Sequence, residues 1–302
     1  MYRITFTLIS VLTIMTFRAN GQDCTRPGNV FPFNFQGKKY EVVKELYSWS
    51  VASLCAVERG GYLVHINSKA EQDTVFSSII NGAKVSTTYK PVSDGGGTSY
   101  VWIGATDKAT EGKWLWDGND DGTGKQFWTG QGLAGLGDGV AAEGIYNNWG
   151  GASLNPTNPN RRMEPDNYGA GQDCAAIALT RWPASAGGLG VAGEWNDIAG
   201  SSALYFVVEY DSTSTTHPLE SRAQVSVFPN PATDFITISV EGTAEPIVEV
   251  RIYNLLGSII YEKKGIHTFG LPVGLSGYPS GTYFINVILE QGRSERRRFL
   301  LR

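Results

Sequence analysis

The stretch Glu164-Pro165-Asp166, followed by Gln172-Asp173-Cys174 and then by Trp195-Asn196-Asp197, decides the reading of this chain. It gathers hard oxygen donors around a proline in a Gly- and Asn-rich segment. Side chains two apart on an extended backbone point to the same side, so Glu164 and Asp166 can face one point in space. Pro165 stiffens the backbone between them, and a cis bond before it would bring them closer still. Calcium takes about six to eight oxygen ligands and tolerates irregular geometry. The carboxylates of Glu164, Asp166 and Asp197, with the amide oxygens of Gln172 and Asn196, would supply most of that shell.

Other motifs stand around this stretch in a fixed order. Trp49-Ser50-Val51-Ala52 opens a helix expected over Ser50–Arg59 and closed by Gly60-Gly61, and Leu63-Val64-His65-Ile66 follows. A second helix is expected over Ala70–Ile80. Trp102-Ile103-Gly104 and the pair Trp114/Trp116 lie upstream of the acidic triplet. The apolar run Leu204–Tyr210 closes the series. In this order the motifs resemble the C-type lectin-like domain, from about Phe33 to Asp211.

That resemblance implies a single calcium ion held by Glu164, Asp166, Gln172, Asn196 and Asp197, its shell completed by two neighbouring sugar hydroxyls. The mannose-type pattern in the family is Glu, Asn, Glu, Asn, Asp. This chain departs at 166 and 172, and the departures offset each other in charge, leaving three acids against the ion's two positive charges. Both acids of 164–166 now share one arm and both amides the other. One sugar hydroxyl would meet two acceptors and the other two donors, although a hydroxyl has one proton to give. The resemblance therefore implies calcium-dependent glycan binding or adhesion without naming a sugar. The alternative is a metal-free lectin-like adhesin that binds a protein or matrix surface.

Several aromatics invite a role. Trp102, Trp114, Trp116 and Trp195 read as core. Trp149, Tyr146 and Tyr168 lie nearer the ligand loop, where Tyr168 or Trp149 could stack on a sugar face, with burial the preferred reading. Asp117 to Gly122 has the opening spacing of a calcium loop, but its twelfth position is Trp128 instead of a bidentate Glu, so it reads as a turn. Asp173 reads as a turn cap or as part of a second ion site. The segments Val85–Ser99 and Gly151–Met163 are expected to be loops, the first a polar, glycine-rich insertion.

With 302 residues, 41% apolar and 18% charged, the chain has room for two ordinary domains. A net charge of −4, with no basic face before the last ten residues, argues against a nucleic-acid partner. Catalysis finds no motif: His65, His217 and His267 lie in a strand, a linker and the second domain, and no nucleophile elbow, zinc-protease or phosphate-loop pattern occurs. The chain is read as a non-enzyme.

Residues 1–21 are expected to be a signal peptide, with Arg3, the apolar run Ile4–Phe17 and the small residues Ala19-Asn20-Gly21. That run is too short to span a bilayer, and no other segment reads as a transmembrane span. Three cysteines, Cys24, Cys55 and Cys174, would remain in the exported chain, leaving at least one thiol free or paired between chains. Against the family's pattern, the partner position for Cys174 holds Gly200, and the other bridge positions hold Ala56 and Val208. Cys55 stands one residue off register, so no family disulfide is expected.

The domains are expected as 22–211 for the lectin-like part, 212–224 for a Ser/Thr-rich linker and 225–302 for the remainder. In that remainder, Val225–Phe228, Phe235–Val240, Val248–Tyr253, Ile259–Tyr261 and Tyr283–Leu289 read as short strands of a small antiparallel sandwich. FPNPATD at 228–234, IYNLLGSII at 252–260, YPSGTYFI at 278–285 and the basic tail RRRFLLR resemble the C-terminal sorting domain of the type IX secretion system. The fold class expected for the whole is an α+β C-type lectin-like domain with a small all-β sandwich at the C-terminus. The sorting-domain resemblance implies a Bacteroidota-type bacterium, type IX machinery as a partner, and release or attachment at the outer cell surface.

Overall fold

The computed structural model describes residues 24–26, 28–169, 171–211 and 224–302. The expected signal peptide lies outside the described residues, as does nearly all of the expected linker.

The first domain comprises β1 (Val30–Phe35), β2 (Lys38–Tyr47), α1 (Trp49–Glu58), β3 (Tyr62–Leu63) and α2 (Lys69–Ser77), then β4 (Pro91–Val92), β5 (Thr98–Thr106), β6 (Lys113–Trp116), β7 (Lys125–Thr129), β8 (Val140–Ala141), β9 (Cys174–Ala178), β10 (Trp195–Ile198) and β11 (Leu204–Glu209). The main path runs β1-β2-β11-β5-β6-β7-β8. The last strand, β11, thus returns beside the first hairpin: it is antiparallel to β2 and parallel to β5, closing N- and C-terminal ends together.

Each helix starts at a serine. Ser48 caps α1 by accepting from the Val51 amide, and Ser68 caps α2 by accepting from the Glu71 amide. Alpha-helical geometry in α2 gives way at Ser78 to a π-helical turn ending at Gly82, so the helical run contains the expected Ala70–Ile80 span but is irregular in its last part. Two apolar layers flank the central strands. One holds α1 with Trp102, Phe206 and Trp182; the other holds Trp114, Trp116, Phe127, Trp149 and Trp195. All four tryptophans read as core are buried, and Trp149 is buried with them.

The 85–99 insertion is more ordered than a bare loop. Its β4 pairs with β5, Val92 is buried, and the Tyr89 and Tyr205 rings stack with centres 4.1 Å apart. The turn at 117–122 is a turn, as read: Asp117 accepts from the amides of Asp121 at 3.1 Å and Gly122 at 3.0 Å.

Cys24 and Cys55 form a disulfide with Cα atoms 5.7 Å apart, a pairing outside the family register whose existence the sequence left open. Cys174 is free and buried. Ala56 and Val208, at the two ends of the missing family bridge, share one apolar cluster instead.

The second domain packs a three-stranded sheet on a four-stranded one. The strands are β12 (Gln224–Phe228), β13 (Phe235–Glu241), β14 (Ile247–Tyr253), β15 (Ile259–Thr268), β16 (Gly270–Gly274), β17 (Gly281–Leu289) and β18 (Ser294–Leu301). The pairings within each of its two sheets are antiparallel. Two strands were missed in the sequence. In β16 a proline between glycines hides the pattern. In β18 the run of arginines reads as a tail, yet Phe299 and Leu301 alternate into the core. Phe284, on the outer face of β17, lies edge-on to Tyr47 of the first domain at 6.3 Å, and Arg298 pairs with Glu58 at 3.4 Å. Among the described residues no helix is long and apolar enough to cross a membrane.

Candidate metal and ligand site

Strand β10 is the platform of the site. It pairs with β9 so that Asn196 faces Ala176 and Asp197 faces Ala175 across the ladder, and the small alanines leave room for polar side chains. Asp197 is fully buried. Its carboxylate accepts from the amides of Asp166 at 3.1 and 3.2 Å and Asn167 at 2.7 Å, which pins the acidic loop onto the strand. The Glu164–Pro165 bond is cis, and Asn167 adopts a left-handed φ of 49°, a conformation asparagine tolerates well. The Asn167 side chain accepts from the Gln172 amide at 3.1 Å and closes the loop on itself.

Glu164, Asp166 and Asp197 are thereby brought together: one oxygen from each lies within 4.8 Å of the others. Glu164 is 1% exposed and its Oε1 accepts from the indole N–H of Trp182 at 2.9 Å, while Oε2 has no partner. Asn196, 3% exposed, donates through Nδ2 to the Tyr100 hydroxyl at 3.1 Å and leaves Oδ1 without a partner. Buried oxygens without partners are costly, so each demands an account. Burial pushes the Glu164 carboxyl well above the usual carboxylate range, with the charges of Asp197 and Asp166 adding to it. Burial raises Asp197 well above its ordinary value too, opposed by the amides it accepts from. Asp166 is raised for the same reason, less its bond from the Tyr168 amide. Three acids held this close favour a cation at their centre.

Gln172 is placed differently from the expectation. Its Oε1 accepts from the Tyr168 amide at 2.7 Å, and its Nε2 donates to the Asp94 carbonyl at 2.9 Å. Both ends of the amide engage backbone groups, and Gln172 is not among the residues that line the cavity beside this cluster, so it acts here as a brace of the loop. Asp173 serves through its backbone: its carbonyl accepts from the Thr106 hydroxyl at 2.7 Å.

A cavity of about 270 Å³ opens at this cluster, lined by Glu164, Asp166 and Asn196, by the 93–96 loop, and by Trp182, Pro183 and Leu189. Tyr168 stands at its edge, 69% exposed. The sequence reading missed Asp94 and Trp182. Only the run Ser93-Asp94-Gly95-Gly96-Gly97, an acid ahead of three glycines in an insertion, hinted that this loop approaches other backbone closely.

Both domains are similar to known proteins. Residues 45–209 match the family described as Lectin C-type domain, and residues 226–301 match the Secretion system C-terminal sorting domain. Hepatic lectin of Gallus gallus is 26% identical over 176 residues, covering 58% of this chain and 56% of that protein. Echinoidin of Heliocidaris crassispina is 26% identical over 161 residues, covering 53% of this chain and 74% of that protein. Ulvan lyase NLR42 of Nonlabens ulvanivorans is 35% identical over 81 residues, covering 26% of this chain and 15% of the lyase. The chain thus spans about half of the hepatic lectin and a small part of the lyase. Among solved structures, the mouse scavenger receptor C-type lectin carbohydrate-recognition domain aligns over 64% of this chain and 100% of its own, at 23% identity and a TM-score of 0.36. Human lithostathine aligns over 59% and 95%, at 18% identity and a TM-score of 0.35. The sorting domain marks the chain for type IX export, either secreted or attached at the cell surface. With its lectin match extending over more than half its length, the chain belongs to the C-type lectin domain family.

Proposed function

We propose that the protein is a calcium-dependent glycan-binding lectin acting outside the cell, in glycan capture or adhesion. Support comes first from the pair of buried, unpartnered oxygens, Glu164 Oε2 and Asn196 Oδ1, beside the carboxylates of Asp166 and Asp197. This donor set suits a hard divalent cation. Glu164, Asp166, Asn196 and Asp197 would hold the ion, and Gln172 would hold the loop that carries two of them. The bound ion would supply open coordination positions for two neighbouring hydroxyls. The family membership and the lectin relatives favour a sugar as the source of those hydroxyls.

A single site of this size binds weakly, so capture of a surface would draw on many copies displayed together. A glycan array probed with the full chain tests the reading. Binding in millimolar calcium that disappears in EDTA is the expected result. A blank array in calcium, with retained binding to cells or matrix proteins, would favour the metal-free adhesin.

A further inference from the structure

The wall of the cavity contributed by the 93–97 loop is built into the protein at four points. The Asp94 carbonyl accepts from Gln172 at 2.9 Å, and Asp94 Oδ2 accepts from the Ala199 amide at 2.9 Å. The Gly95 carbonyl accepts from the Tyr100 hydroxyl at 2.6 Å, and that hydroxyl is the partner of Asn196. The Gly96 carbonyl accepts from the Ala184 amide at 2.7 Å. Gly96 has a φ of 67°, and a Cβ there would fall 2.9 Å from Pro183 Cα, so the loop closes directly onto the opposite wall. Its position is therefore fixed, and whatever it presents to the cavity is presented reproducibly.

The one charged residue that it contributes to the cavity lining is Asp94. Asp94 lines the cavity, and its Oδ1 carries no hydrogen bond among the described residues. With Glu164, Asp166 and Asp197 ionised around a divalent cation the site carries one net negative charge, and Asp94 makes it two. No lysine, arginine or histidine lines the cavity to offset this. Resting on the lectin reading above, we propose that Asp94 is a specificity-determining residue. It accepts a hydroxyl or ammonium of the bound sugar, and it makes the site select neutral or amine-bearing sugars against those carrying carboxylate or sulfate. Discrimination of this kind comes from an unfavourable like-charge contact with the wrong ligand as much as from a good contact with the right one.

The test uses the full chain in excess calcium and a panel of methyl glycosides: mannose, galactose, N-acetylglucosamine, glucosamine, glucuronic acid, galacturonic acid and galactose 6-sulfate. Isothermal titration should find a neutral or amino sugar bound at least about 10-fold more tightly than its acidic counterpart. Asp94→Asn keeps an acceptor for the Ala199 amide. It should narrow that gap to about 3-fold or less and leave affinity for calcium chloride alone within about 3-fold. Asp94→Ser, read the same way, guards against a folding defect in the first variant. Preference for an acidic sugar, no binding by any sugar in the panel, or discrimination unchanged in both variants would overturn the proposal. Failure of calcium itself to bind strikes instead at the underlying lectin reading.

Discussion

The indole N–H of Trp182 donates to Glu164 Oε1 at 2.9 Å, and this one bond decides which oxygen of Glu164 is left for a ligand. The neighbouring oxygen, Oε2, is buried without a partner. Metal-binding groups are commonly oriented by such outer partners, and removing one typically costs about 10- to 100-fold in affinity. Trp182→Phe keeps most of the packing and removes the donor. It should weaken calcium binding by about 10-fold, read by titration, while the fold survives with a loss of about 1–2 kcal/mol in chemical denaturation.

Gln172 and Asn196 are both amides, but the structure gives them different work. Asn196→Ala removes an oxygen that faces the cavity and should reduce calcium affinity by at least about 10-fold. Gln172→Ala removes two backbone hydrogen bonds, and its first effect should be on stability, about 1–3 kcal/mol. Comparing the two variants by denaturation and by titration separates brace from ligand. Equal loss of calcium affinity in both would return Gln172 to the shell.

His65 predicts an acid-sensitive limb. Its Nε2 accepts from the Gly118 amide at 3.1 Å, which requires the neutral ring, and burial lowers its pKa to about 4. The unfolded chain takes up this proton near pH 6.5, and the folded chain only near 4. Between those values the unfolded state binds more protons, so the contribution is full above pH 6.5 and is lost as pH falls toward 4. It should amount to about 2 kcal/mol, allowing for the partial exposure of the ring. Melting temperature followed from pH 7 to 4 should fall in the native chain and fall less steeply in His65→Gln.

The Cys24–Cys55 bridge encloses a separation of 31 residues. Chain-entropy estimates put the stabilisation from a loop of this length at about 3–4 kcal/mol. The double variant Cys24→Ala/Cys55→Ala should lose about that much in denaturant titration. Cys174 should stay unreactive toward thiol reagents until the protein unfolds, because burial pushes its pKa far up.

The sequence was most legible where chemistry and spacing coincide. Glu164 and Asp166 were readable as a pair because a proline-stiffened extended segment turns both to one side, and Asp197 was joined to them by the resemblance to the C-type lectin-like domain. Trp102, Trp114, Trp116 and Trp195 were readable as core because the family that the chain resembles buries those positions. Gln172 was read as a ligand because residue type and spacing do not distinguish an amide aimed at a cavity from one turned back onto its own loop. Asp94 was invisible because its partners, Gln172 and Ala199, stand 78 and 105 residues away in the chain. The arginine-rich β18 was hidden by its charge, although the alternation of Phe299 and Leu301 carried the strand signal. The disulfide escaped because the family register gave Cys24 no expected partner.

Titration of calcium into EDTA-stripped full-length protein tests the central claim most directly. The account predicts one ion per chain, a rise in melting temperature on binding, and loss of both in Asp197→Asn, whose carboxylate joins strand β10 to the acidic loop. No heat and no thermal shift in millimolar calcium, from a correctly folded chain, would contradict it.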